Sequence, residues 1–171
     1  MANTREARRY TFNYTLLMRY TLDRVTDKDI NILDRIHTEN MKEYVEKFYP
    51  WNPTLFRSNF VARDYQVVKH QDKIIGFIKV VASPTDIYLG EIQITRNYQN
   101  RGIGTNILEN LIAKAKRNQK RLWLRVIKGN PAEKLYMRLG FTVFEESLTH
   151  KKLEIRSRRS CGMRAPKNLS T

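Results

Sequence analysis

Gln99-Asn100-Arg101-Gly102-Ile103-Gly104 is the stretch of this chain whose residue types most directly suggest chemistry. It follows the β-branched run Ile92-Gln93-Ile94-Thr95 and leads into a helical run from Asn106 to Arg117. A small, glycine-bearing loop between a strand and a helix N-terminus is a place to hold phosphate. The first N–H groups of a helix have no partner within it, and the helix dipole adds partial positive charge there. Gly102 and Gly104 let a ligand approach the backbone with no Cβ in between. Arg101 offers a charge-assisted bond to phosphate oxygens. The implied ligand is a phosphorylated cofactor. Spacing excludes two common ones. A dinucleotide fingerprint would place a third glycine where Ile107 stands, and a P-loop needs Gly-Lys-Ser/Thr where this chain has Gly104-Thr105-Asn106. A tight turn ahead of a helix also uses glycine, so the hexapeptide needs a companion.

The companion is Asn130-Pro131-Ala132-Glu133-Lys134-Leu135-Tyr136-Met137-Arg138-Leu139-Gly140-Phe141. With both segments in this order, the chain resembles the GNAT-type N-acetyltransferases, which acetylate amines with acetyl-CoA. The cofactor loop of that family reads Gln/Arg-x-x-Gly-x-Gly/Ala, matched by Gln99, Gly102 and Gly104. Its later segment carries an Asn, a small residue and Tyr-x-x-x-Gly-Phe, matched by Asn130, Ala132, Tyr136, Gly140 and Phe141. The resemblance spans roughly residues 14–156 and is sharpest from Glu91 to Phe141.

The resemblance implies a single-domain α/β fold, a mixed and mostly antiparallel sheet with helices on both faces. It implies transfer of acetyl from acetyl-CoA to a primary amine of a small molecule or of a peptide or protein, by direct attack in a ternary complex. Gln99, Asn100, Arg101, Gly102, Ile103, Gly104 and Thr105 would hold the pyrophosphate. Ile92, Gln93 and Ile94 would lie along the pantetheine arm, on a strand that a kink opens from its neighbour. N–H groups of that strand facing the thioester oxygen would be worth about 3 kcal/mol. Asn130 would contact the arm as well as cap its helix, and Tyr136 would stand near the cofactor sulfur. A tyrosine titrates near pH 10 and a cysteine-type thiol near 8.5, so Tyr136 reads first as a hydrogen-bond donor to developing thiolate and second as a full acid.

An amine of pKa near 10 is about a thousandfold short of its neutral form at pH 7, so a carboxylate or ordered water must take its proton. Glu91, just upstream of the cofactor strand, is the best-placed carboxylate. For the acceptor, Glu43, Glu46 and Trp51 stand in an aromatic-rich stretch with Tyr44, Phe48, Tyr49 and Phe56, a composition that suits a cationic amine. His37, His70, His150 and Cys161 show no metal-ligand spacing, so no metal is expected.

Composition agrees with a globular domain of 171 residues and 41% hydrophobic content. No apolar run reaches membrane-span length, and Cys161 alone cannot form an internal disulfide, so a cytoplasmic setting is the simplest expectation. The net charge of +15 is concentrated at the ends, +3 in residues 1–20 and +6 in residues 151–171. Basic ends attract polyanions without sequence preference. Two alternatives follow: the same catalyst aimed at an anionic macromolecule such as charged transfer RNA, or a non-catalytic domain that binds CoA or nucleic acid. A homodimer is left open.

The elements that must position these residues follow from periodicity and punctuation. A strand is expected over Tyr14–Thr21, then a helix from the Thr26-x-x-Asp29 capping box to about Phe48, and a short helix begun by Asn52-Pro53. A hairpin about Gln71-Asp72-Lys73 and a strand Ile87–Ile94 precede the loop. Ile107, Leu108, Leu111, Ile112 and Ala115 line one helix face. Leu122–Ile127 reads as a buried strand, and Asn130-Pro131 as a cap for a helix that Gly140 ends. Thr142–Glu145 and Lys151–Arg156 complete the sheet. The domain is placed at 14–156, between a basic arm (1–13) and a basic tail (157–171).

Overall fold

A computed structural model describes residues 19–156. The arm, the tail and residues 14–18 of the Tyr14–Thr21 strand expectation lie outside the described residues; of the remainder, only Thr21 is in a strand. The described elements run β1 (Thr21–Arg24), α1 (Ile30–Val45), α2 (Leu55–Ser58), β2 (Tyr65–His70), β3 (Lys73–Ala82), β4 (Asp86–Ile94), α3 (Ile103–Arg117), β5 (Arg121–Ile127), α4 (Ala132–Arg138), β6 (Thr142–Glu146) and β7 (His150–Ile155). The strands form one seven-stranded sheet in the order β1-β2-β3-β4-β5-β7-β6. Every neighbouring pair is antiparallel except β4 with β5.

Successive strand side chains point to opposite faces, and this alternation divides the core. Val67 and Phe77 turn toward Leu33 and Ile36 of α1 and Phe56 of α2. Val68, Ile78, Leu122 and Leu124 turn the other way, against Ile107, Leu108 and Leu111 of α3 and Tyr136 of α4. Helices therefore cover both faces, the second of them along the apolar stripe read from the sequence.

Local signals explain most boundaries. Thr26 and Asp29 do form the capping box, the Thr26 N–H reaching the Asp29 carboxylate at 2.8 Å. Asn130 Oδ1 accepts the Ala132 N–H at 2.9 Å, as a cap should. Gly140, at φ +91°, ends α4 with two crossed bonds, Gly140 N–H to Met137 O (3.0 Å) and Phe141 N–H to Tyr136 O (3.1 Å). Two boundaries differ from expectation. α1 stops at Val45, and Pro53 precedes α2, where Asn52 Oδ1 accepts the Thr54 N–H instead of proline opening the first turn. Gln71 and Asp72, both at positive φ, make the β2–β3 connection a two-residue turn.

The sheet opens where β4 and β5 separate. Their parallel pairing begins at Asp86↔Arg121, backed by an ion pair between those side chains, and ends at Leu89↔Leu124. On the other side of β4, Lys79 pairs with Glu91 but Val80 pairs with Leu89, so Gly90 is an extra, bulged residue. A bulge bends its strand and sharpens its twist. From Gly90 onward β4 keeps β3 and loses β5.

Candidate functional site

The fork leaves a cleft of about 750 Å³ through the middle of the sheet. Its walls are the parted ends, Gly90–Ile94 on β4 and Leu124–Ile127 on β5. Its ends are closed by the β4–α3 loop, the start of α4 and the last turns of α1. Of the residues singled out from sequence, Glu91, Ile92, Gln93, Ile94, Gln99, Asn100, Gly102, Ile103, Gly104, Thr105, Asn130, Tyr136 and Glu43 all line it. Arg101, Glu46 and Trp51 do not. Arg101 lies over the Tyr98 ring at 5.4 Å, Glu46 pairs with Lys42 at 3.7 Å, and Trp51 leans on the His37 ring at 5.6 Å.

The loop has the backbone that anion binding needs. Asn100 (φ +58°) and Gly102 (φ +80°) are left-handed on either side of Arg101. Such turns make N–H groups converge in a concave nest. The first helical bond of α3 is Asn106 N–H to Gly102 O, at 2.9 Å, so the N–H groups of Ile103, Gly104 and Thr105 have no intrahelical acceptor. A Cβ built on Gly104 would meet nothing within 4 Å, so this glycine leaves room for a ligand rather than for the protein. Gln99 instead serves the fold, its Nε2 donating to Ile94 O at 2.8 Å.

Asn40 of α1 reaches the same carbonyl at 3.0 Å and Gln93 Oε1 at 3.1 Å. Gln93 Nε2 then donates to Glu91 Oε2 at 2.9 Å. The other Glu91 oxygen faces His37 Nε2 at 3.7 Å. His37 is packed between Phe56 and Trp51, and its buried Nδ1 has no partner among the described residues, so Nε2 is the nitrogen that addresses Glu91. Sequence reasoning gave His37 no role beyond its lack of metal-ligand spacing. The available signal was its position four residues after Leu33, on the apolar face of α1.

Across the cleft Tyr136 is 7% exposed and meets Phe141 edge-on at 5.8 Å. Burial, and then the Glu91 carboxylate, push its phenol well above the ordinary tyrosine range. The two side chains chosen from sequence for chemistry therefore share one cleft. Asn130 divides its atoms, Oδ1 on the cap and Nδ2 toward Met41 Sδ at 3.8 Å. Among the described residues, no three His, Cys, Asp or Glu side chains stand close enough together to hold a metal, and no helix is long and apolar enough to cross a membrane.

Among the described residues the sheet forks at its single parallel pair, with a helix N-terminus at one end of the fork, the arrangement that the resemblance to acetyl-CoA-dependent acetyltransferases leads one to expect. Comparison with known proteins agrees. The profile of the acetyltransferase (GNAT) family matches residues 17–141. No curated protein sequence matches the chain. Among solved structures, PaiA N-acetyltransferase from Thermoplasma acidophilum, in complex with coenzyme A, superposes with a TM-score of 0.63 at 17% identity, over 81% of this chain and 99% of that one. The ribosomal-protein-S18-alanine N-acetyltransferase of Escherichia coli gives 0.62 at 22% identity, over 90% and 100%. Arabidopsis thaliana Naa50 in complex with the bisubstrate analogue CoA-Ac-MVNAL gives 0.59 at 19%, over 80% and 97%. The chain belongs to the GNAT family of acetyltransferases and uses acetyl-CoA as co-substrate.

Proposed function

We propose that this protein acetylates a primary amine, of a small molecule or of a peptide or protein, with both substrates bound across the β4–β5 fork. The observation that carries this reading is the fork itself, with a carboxylate (Glu91) and a phenol (Tyr136) facing one cleft. Acetyl-CoA brings the acetyl thioester and, as leaving group, its thiol. The open N–H groups of Ile103, Gly104 and Thr105 and the left-handed turns at Asn100 and Gly102 suit its pyrophosphate. The β4 edge over Ile92 and Gln93, unpaired by β5, offers backbone groups to an extended pantetheine arm, as an added strand would. Ile94 stands apart, because its carbonyl is already taken by Gln99 and Asn40.

Glu91 takes the ammonium proton, directly or through a water, and Gln93 and His37 hold its two oxygens in place. Tyr136 acts by donating a hydrogen bond to developing thiolate. A phenol held above its usual titration range is a poorer acid, which disfavours full proton loss and keeps the donor present. Thiol release from acetyl-CoA across an amine panel tests the reading. Amine-dependent release that falls about a hundredfold or more in Glu91→Gln supports it. No rise in thermal midpoint at millimolar acetyl-CoA refutes it.

A further inference from the structure

On the α1 side of the fork, Arg125 of β5 lines the cleft and has no ion pair among the described residues. Leu122, Leu124 and Val126 of β5 enter the core shared with α3, so Trp123 and Arg125 project from the opposite face. There Trp123 stacks on Tyr88 at 4.2 Å. The cations beside Arg125 on β5 and β7 are matched. Arg121 is held by Asp86 and Glu154, and Lys152, opposite Arg125 in register, pairs with Glu145 at 2.7 Å. Arg125 is exposed and has no ion pair among the described residues. It lines both the main cleft and an adjoining hollow of about 320 Å³, together with Tyr49, Thr149 and His150.

The hollow is built rather than incidental. Tyr49 Oη and Thr149 Oγ1 meet at 3.0 Å and tie the segment after α1 to the β6–β7 turn, while Thr149 Oγ1 also meets His150 Nδ1 at 2.7 Å. Burial, and then Arg125, lower the His150 pKa, so its ring is neutral near pH 7. With Lys152 and Glu145 cancelling, the hollow keeps the single positive charge of Arg125. Glu91 stands on the facing strand, just past the last Leu89↔Leu124 pair, as Arg125 does on its own. The Tyr88 phenol registers both: burial raises its pKa most, Arg125 lowers it and Glu91 raises it.

The geometry points to an acceptor with a carboxylate close to its amine, the amine at Glu91 and the anion on Arg125. Guanidinium matches carboxylate with two parallel bonds, which gives selectivity as well as attraction. The carboxylate has two sources, a free amino acid or a peptide with an acidic residue next to its N-terminal amine. This inference rests on the acetyltransferase reading of the fork.

The test is acceptor binding to CoA-saturated protein, which needs no turnover, followed by steady-state kinetics. The probes are matched pairs: alanine and glutamate against their amides, and a tetrapeptide with Glu or Gln at its second position. The wild type should favour the acid in at least one pair by about tenfold or more, through KM rather than kcat. The pair that responds identifies the source. Arg125→Gln should erase the preference and Arg125→Glu invert it, with the thermal midpoint unchanged because the side chain is exposed. Equal binding of acid and amide in every pair, no binding of either, or a preference that survives Arg125→Glu overturns the inference. Failure of acetyl-CoA itself to bind overturns instead the reading on which it rests.

Discussion

Gly104 separates the stability of the fold from the use of the fork. It is the second residue of α3, in helical conformation, and a Cβ there touches nothing within 4 Å. Replacing glycine by alanine at a compatible site stabilises by about 0.4–1 kcal/mol, chiefly through the unfolded chain. Gly104→Ala should therefore raise the apo thermal midpoint by about 1–4 °C for a chain of this size. It should also retain acetyl-CoA binding, since the family loop admits either residue there. Gly104→Glu gains the same backbone contribution plus about 0.3–1 kcal/mol from a carboxylate in the first turn of the helix. It should be at least as stable without ligand. Its carboxylate, however, enters the space left open beside the free N–H groups. Against one phosphate charge at about 4 Å and an effective dielectric near 20, the repulsion is about 4 kcal/mol, close to a thousandfold in Kd. At acetyl-CoA concentrations near 100 Kd, the wild type gains about 2.7 kcal/mol, or about 5–11 °C. Gly104→Glu should gain essentially nothing. Differential scanning fluorimetry with and without acetyl-CoA reads both quantities. A Gly104→Glu protein that is stabilised in the apo form and still shows the full ligand shift would refute the placement of pyrophosphate at this helix.

Four further outcomes are expected. Tyr136→Phe keeps the packing on Phe141, so kcat should fall about 10- to 100-fold, the range of a hydrogen bond to a charged group, with KM for acetyl-CoA unchanged; an unchanged kcat would dismiss Tyr136 from the chemistry. Above about pH 10 the unfolded chain releases phenol protons that folded Tyr136, Tyr65 and Tyr88 retain, so stability is full below pH 10 and falls as pH rises. Urea midpoints at pH 8 and pH 10.5 should record that loss, and it should be smaller in Tyr136→Phe. His37→Phe keeps the stack with Phe56 and removes a buried nitrogen without a partner. Its thermal midpoint should not drop, while kcat should fall several-fold; an unchanged kcat would leave His37 a packing residue only. Gly76→Ala puts a Cβ 2.2 Å from Gln93 O, so β3 or β4 must shift, at about 1–3 kcal/mol or more and several degrees of thermal midpoint. A neutral result would show that the two strands are looser than drawn.

How much was legible in advance depends on how far apart the partners lie. The order of the elements, the Thr26–Asp29 box, the Asn130 cap, the Gly140 stop and the glycine-bearing turn ahead of α3 were all readable in the chain. Each is a contiguous signal in which propensity, capping and glycine chemistry act within a few residues. The acceptor side was read less well. Glu46 and Trp51 share the aromatic-rich stretch with Glu43, but only Glu43 faces the cleft. Helix phase and the stop at Val45, short of the expected end near Phe48, decide that.

What tertiary structure alone decided is the fork and the groups around it. The bulge at Gly90 exists because β4 must follow β3 on one side while leaving β5 on the other. The Asn40–Gln93 bond spans 53 residues, the His37–Glu91 pair is of similar reach, and Arg125 stands out because Arg121 and Lys152 beside it are paired. Local sequence sets backbone preference residue by residue. The chemistry of the cleft depends on which distant charges the sheet brings together and which it leaves uncompensated.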